Sequence, residues 1–184
     1  MFRSLLDKLF AFINSFRLND YDEIADTLMD GIREVLDEHD PNFDIEVYFQ
    51  DELDEETISA VEESEPGATK DGHEVIAFTC MNDDGNFDMV FALEAVKRFV
   101  TTANPFRLKD EIRGVARHEA YHVRQYRYVY EKGGLEALDR LCDDLKHVEY
   151  EENALEIGAY LFQFFGIEQD FSEDFAPYLN KACA

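Results

Sequence analysis

The chain has 184 residues, 46% hydrophobic and 14% aromatic, enough apolar material for a packed core, and this argues against a disordered chain. Its 17 Lys and Arg stand against 42 Asp and Glu, for a formal net charge of −25. A chain that acidic repels phosphate, so neither nucleic acid nor an anionic membrane surface is an expected partner.

Three cysteines, Cys80, Cys142 and Cys183, are odd in number and far apart. No disulfide framework is read from them, and a reducing, cytoplasmic location is the expectation. At the N-terminus Phe2, Leu5, Leu6, Leu9, Ile13 and Phe16 recur at helical spacing. Asp7 and Lys8 interrupt what would be a signal peptide's apolar centre, and no stretch approaches the roughly 18 apolar residues of a membrane span. The expectation is a helix packed on the protein's own core; a surface that docks a partner is the alternative.

Asp20 to Glu38 reads as a second helix with the stripe Ile24, Ala25, Leu28, Met29, Ile32 and Leu36, capped by Asp20 or Asp22. Phe43 to Phe49 alternates as a half-buried strand. Asp51 to Gly72 is an acidic, solvated loop with a short helix near Glu55 to Glu63. Glu74 to Thr79 and Phe87 to Leu93 form a hairpin about the turn at Asn82 to Asn86. That turn lacks the ligands of a calcium loop at Cys80 and Phe91, and is read as a turn only. After Pro105 the chain is helical: Leu108 to Glu131, Leu135 to Lys146 and Val148 to Phe165, punctuated by Gly133-Gly134 and Gly166. The expectation is a single α+β domain over 1–184. Helices and a small, mostly antiparallel sheet occupy 1–106, and a helical half occupies 107–184.

The informative segment is His118-Glu119-Ala120-Tyr121-His122 within a helix. A spacing of i, i+4 sets both imidazoles on one face, one turn apart, where both can bind one Zn²⁺. Glu119 then stands beside the remaining coordination position, as general base toward a water. The flanking Ile112, Val115, Ala116, Ala120 and Val123 make this helix apolar enough to be buried.

A catalytic zinc usually has three protein ligands. The extended metzincin motif is excluded, because it needs Gly at Gln125 and His at Tyr128. The third ligand is therefore expected on the last helix. Glu151 shares a face with Ala154, Leu155, Gly158, Leu161 and Phe162, the most apolar stripe, where a carboxylate needs a partner. Glu152 is the second choice, and Glu149, Asp143, Asp144 and His147 follow. Glu156 falls with Glu149, Asn153 and Tyr160 on the polar side. Ala154 and Gly158 are small enough for a close approach to the His helix.

His118-Glu119-x-x-His122 followed by Glu151-x-x-Ala154 resembles the gluzincin branch of the zincin metallopeptidases, in its compact minigluzincin form, over about residues 108–165. The resemblance implies a zincin-like fold and one Zn²⁺ per chain held by His118, His122 and Glu151. It also implies Glu119 as base, and a sheet edge, here the hairpin at Glu74 to Leu93, that grips an extended peptide or protein substrate. Leu155 stands where many relatives have an Asp that orients a ligand His. His147, Tyr121, Tyr126 and Tyr150 are the candidates for the oxyanion donor. The alternative function is a non-catalytic, acidic protein-interaction module on the same fold.

Overall fold

Residues 2–36, 45–64, 68–69, 74–82, 86–148 and 152–179 are described by a computed structural model. In chain order the elements are α1 (Phe2–Arg17), α2 (Tyr21–Val35), β1 (Ile45–Gln50), α3 (Glu55–Ser64), β2 (Ala77–Met81) and β3 (Phe87–Ala92). Then come α4 (Leu93–Val100), α5 (Leu108–Leu145), α6 (Ala154–Phe165), α7 (Phe171–Asp174) and α8 (Ala176–Leu179). None of the described helices is long and apolar enough to cross a membrane.

The expected α+β class is observed: a small sheet with helices packed on it. The strand order is β1-β3-β2, with β1 parallel and β2 antiparallel to β3. The sheet is thus mixed rather than mostly antiparallel. The hairpin sets β2 against β3, closed by Asn82 N–H donating to the Asn86 carbonyl at 2.8 Å. The long connection after β1, which includes α3, lets β3 return parallel to it. On β3, Phe87, Met89 and Phe91 are fully buried.

Helix α5 organises the rest. α2 lies along it, with Ile24, Thr27, Leu28, Gly31 and Ile32 buried. Gly31 sits at the closest approach. A Cβ there would stand 2.7 Å from the Arg113 carbonyl oxygen, so a side chain would force the helices apart. The Asp20 carboxylate caps α2, accepting from the backbone N–H groups of Asp22 and Glu23. The expected break at Gly133-Gly134 is present. Gly134 adopts φ 68° and ψ −171°, a region open essentially to glycine alone, and kinks α5 there.

Several elements differ from expectation: β2 spans Ala77–Met81 rather than Glu74 to Thr79, and α7 and α8 lie where no element was expected. α4 follows β3 directly where no element was expected; Leu93, Ala95, Val96 and Val100 bury one of its faces. α6 starts at Ala154 rather than Val148, because the Asn153 side chain caps it by accepting from Leu155 N–H. α1 is a helix as expected, but Leu5, Leu9 and Phe12 on it are 67%, 50% and 64% exposed. Its anchor is polar: the buried Asn14 amide donates to the carbonyls of Thr101 and Ala103 at 3.0 and 2.9 Å.

Candidate metal centre

The apolar flanks of the His motif bury it as the sequence predicts. Val115, Ala116, Ala120 and Val123 enter the core, and His118, Glu119 and His122 are buried with them. The two His rings stand edge to face, with centroids 4.8 Å apart and Nε2 atoms 3.1 Å apart.

The third group facing them is Glu156, on the first turn of α6. Its Oε2 is 3.1 Å from His118 Nε2 and its Oε1 is 3.3 Å from His122 Nε2. Glu156 is therefore not on a polar face, as its neighbours in sequence had suggested; it is 3% exposed. Burial by itself would raise its carboxyl, but when His122 and His118 are protonated, their charges and Nε2–H hydrogen bonds outweigh that and hold it well below the usual carboxylate range. Glu151, the expected ligand, lies outside the described residues, as do Glu149 and Tyr150. Glu152 and His147 are exposed. Among the described residues, His118, His122 and Glu156 are the one group of His, Cys, Asp and Glu side chains that converges closely enough to hold a metal ion.

The donor set fits a divalent transition metal. Neighbouring donors of a tetrahedral zinc site, with bonds of about 2.0–2.1 Å, stand about 3.3–3.4 Å apart, close to the separations seen here. The tautomer of His122 fits as well. Gln125 is fully buried, and its amide nitrogen donates to the Leu155 carbonyl and to Gln169 Oε1, each at 2.9 Å. That leaves Gln125 Oε1 to accept from His122 Nδ1 at 2.8 Å. A neutral His122 whose Nδ1 carries the proton presents a bare Nε2 lone pair to the cluster.

Further contacts hold this arrangement. Gly158 lets α6 approach α5, as expected: a Cβ there would stand 2.8 Å from Gln125 Nε2 and 2.3 Å from Gln169 Oε1. Arg124 pairs with Glu168 through two contacts of 3.0 and 2.7 Å and lies over the rings of Tyr121 and Phe162. Tyr121 OH accepts from the Gln169 backbone N–H at 2.8 Å. Tyr121 thus secures the segment that carries Gln169, while Tyr126 stacks on the His122 ring.

Glu119 points toward β2. The Thr79 hydroxyl donates to its Oε2 at 2.9 Å. Burial pushes the Glu119 carboxyl up, against the opposing pull of His118 and His122 and of the Thr79 hydrogen bond. Glu119 and His118 both line a cavity of about 490 Å³, together with Tyr160 of α6 and residues 74–77 leading into β2.

Sequence reasoning missed Glu156, Gln125, Thr79 and Tyr160. Glu156-Ile157-Gly158-Ala159 has the same E-x-x-A spacing as Glu151-x-x-Ala154, so a signal existed for the first. Gln125 is three residues from His122, on the same side of the helix. Thr79 carried no signal, because its partner is 40 residues away. A scan of family models finds no match to the chain, and searches of curated proteins and of solved structures find none either.

Proposed function

We propose that the chain is a zinc-dependent metallopeptidase with His118, His122 and Glu156 as metal ligands and Glu119 as general base. The observation that carries this reading is the placement of Glu119. Its carboxylate stands next to the buried cluster and lines the same cavity as His118. A bound zinc supplies Lewis acidity toward a carbonyl and lowers the pKa of water.

The chain's own residues have separate tasks in this reading. The Glu119 carboxylate takes a proton from water and returns it to the leaving amine. Burial raises the Glu119 carboxyl, which makes it a stronger proton acceptor, and Thr79 holds it in one orientation. Gln125 holds His122 in the ligand tautomer. β2 is an edge strand of the sheet, and residues 74–77 leading into it border the cavity. An extended peptide can add its backbone along such an edge. The resemblance to gluzincins supports the same chemistry, with Glu156-x-x-Ala159 in place of Glu151-x-x-Ala154.

The test combines metal analysis with turnover. Purified protein should hold one zinc per chain, removable by a chelator, and should hydrolyse peptides. Glu119→Gln should retain the zinc and lose at least about 10²–10⁴ in rate. Zinc retained with no hydrolysis by the parent chain would favour the non-catalytic reading, and a stable protein that never takes up metal would remove both the zinc and the peptidase.

A further inference from the structure

Helix α6 is built inside out. Its one charged residue, Glu156, is buried at the metal centre, while Ile157, Leu161, Phe164 and Phe165 are exposed. Those four stand at i, i+4, i+7 and i+8, so they form a single apolar stripe along the helix. Helix α1 carries a second stripe. Leu5, Leu9 and Phe12 stand at i, i+4 and i+7, and all three are exposed. Hydrogen bonds tie α1 to the fold at its last turn, from Asn14 to Thr101 and Ala103 and from Arg17 to the Pro105 carbonyl at 2.6 Å. Exposed apolar surface that runs along a whole helix marks an interaction site, and this chain has two.

Charge pairs the two stripes. α1 holds three bases, Arg3, Lys8 and Arg17, against one acid, Asp7, in a chain with 42 acids and 17 bases. Lys8 is exposed and stands three residues after Leu5 and four before Phe12, on the same face. The α6 side has the opposite character. No Lys or Arg occurs from His147 to Asn180; exposed Glu152 precedes α6, and exposed Asp170 and Glu173 follow it. A basic, apolar helix therefore finds, on another copy of the same chain, an apolar stripe bordered by acids. A bilayer fits less well, because the acidic remainder of the chain repels anionic headgroups.

We propose that α1 of one copy docks along α6 of a second, and that the second returns the contact, giving a two-fold dimer. Helices with apolar stripes of this spacing pack ridge into groove. A reciprocal pair covers both α1 and both α6 stripes and closes, so it does not propagate. The contact uses neither the proposed metal ligands nor Glu119, so it stands or falls apart from the peptidase reading.

The experiment is sedimentation equilibrium on the full chain. The parent should show a monomer–dimer equilibrium with a Kd of roughly 1–100 µM, as for a small interface. Leu5→Ser with Leu9→Ser, and separately Leu161→Ser with Phe165→Ser, should each raise Kd at least about tenfold, because a few apolar anchors carry most of such a contact. Diluted to where the parent is monomeric, both double variants should unfold with it in urea, which separates lost docking from lost folding. Mixing the two is the sharper arm: each keeps the surface that the other lacks, so together they should form a one-to-one pair that neither forms alone. Lys8→Glu should raise Kd at least about threefold, and Arg33→Glu, the same change of charge on α2, should leave it within about twofold. A parent that stays monomeric at about 500 µM overturns the proposal. So does either double variant that still dimerises alone, since the contact would then join like helices. A monomer that sediments with phosphatidylserine vesicles through Leu5 and Leu9 would also overturn it, and would make α1 a membrane anchor.

Discussion

Gln125 and His122 form a pair in which each fixes the other. The Gln125 carbonyl oxygen accepts from His122 Nδ1 at 2.8 Å, while its amide nitrogen is anchored on Leu155 and Gln169. The chain after Asn153 thus reaches back, through one amide, to set which nitrogen of His122 is free. Gln125→Leu should lower zinc affinity by about 10–100-fold, as losses behind a metal ligand commonly do. A competitive zinc titration of Gln125→Leu against the parent chain checks this.

Glu156→Ala removes one of the three proposed ligands and should weaken zinc binding by well over the 10–100-fold of an outer contact. It should also lower the zinc-dependent gain in melting temperature, because metal binding contributes to folding free energy. Glu152→Ala, at an exposed position, should change stability by no more than about 0.5 kcal/mol. Zinc titration and melting of Glu151→Ala, Glu152→Ala and Glu156→Ala side by side assign the ligand. Loss of metal in Glu151→Ala with retention in Glu156→Ala would overturn the assignment to Glu156.

α1 should tolerate loss of its exposed apolar residues. Leu5→Ser and Leu9→Ser remove side chains that stand largely in water, so each should fall within about 0.5 kcal/mol of the parent in urea melts. Asn14→Leu leaves the carbonyls of Thr101 and Ala103 without their donor and should cost about 1–3 kcal/mol. A large loss in the leucine variants and none at Asn14 would show that α1 is held by its apolar stripe after all.

Two helix caps carry a pH dependence. The Asp54 carboxyl lies below its ordinary value because Thr57 donates to it through backbone and side chain. Asp170 is lowered by the Ser172 hydroxyl and by the backbone N–H groups of Glu173 and Ser172. A folded-state pKa below the unfolded one stabilises at pH above the unfolded value of 3.8, and that stabilisation is lost as the pH falls through the folded value. Asp54→Asn with Asp170→Asn keeps both cap shapes without the charge. The double variant should melt below the parent at pH 7 and converge on it by about pH 2–3, where carboxyls are protonated. A gap that persists unchanged in acid would mean that the charge contributes nothing.

The sequence by itself determined the elements whose signal is local. Helical periodicity marked α1, α2 and the His-bearing part of α5, and paired glycines marked the kink at Gly134. Spacing placed His118, Glu119 and His122 on adjoining sides of one helix, because backbone geometry alone does that. Only the tertiary structure decided which carboxylate joins them. α6 is apolar nearly all round, with Leu161, Phe164 and Phe165 exposed, so its richest apolar stripe does not show which face meets α5. That face is set by the Asn153 cap that starts the helix and by the close approach at Gly158. Together they turn Glu156 inward. Thr79 and the parallel pairing of β1 with β3 are equally non-local: each depends on segments about 40 residues apart, a separation at which neither periodicity nor spacing carries a signal.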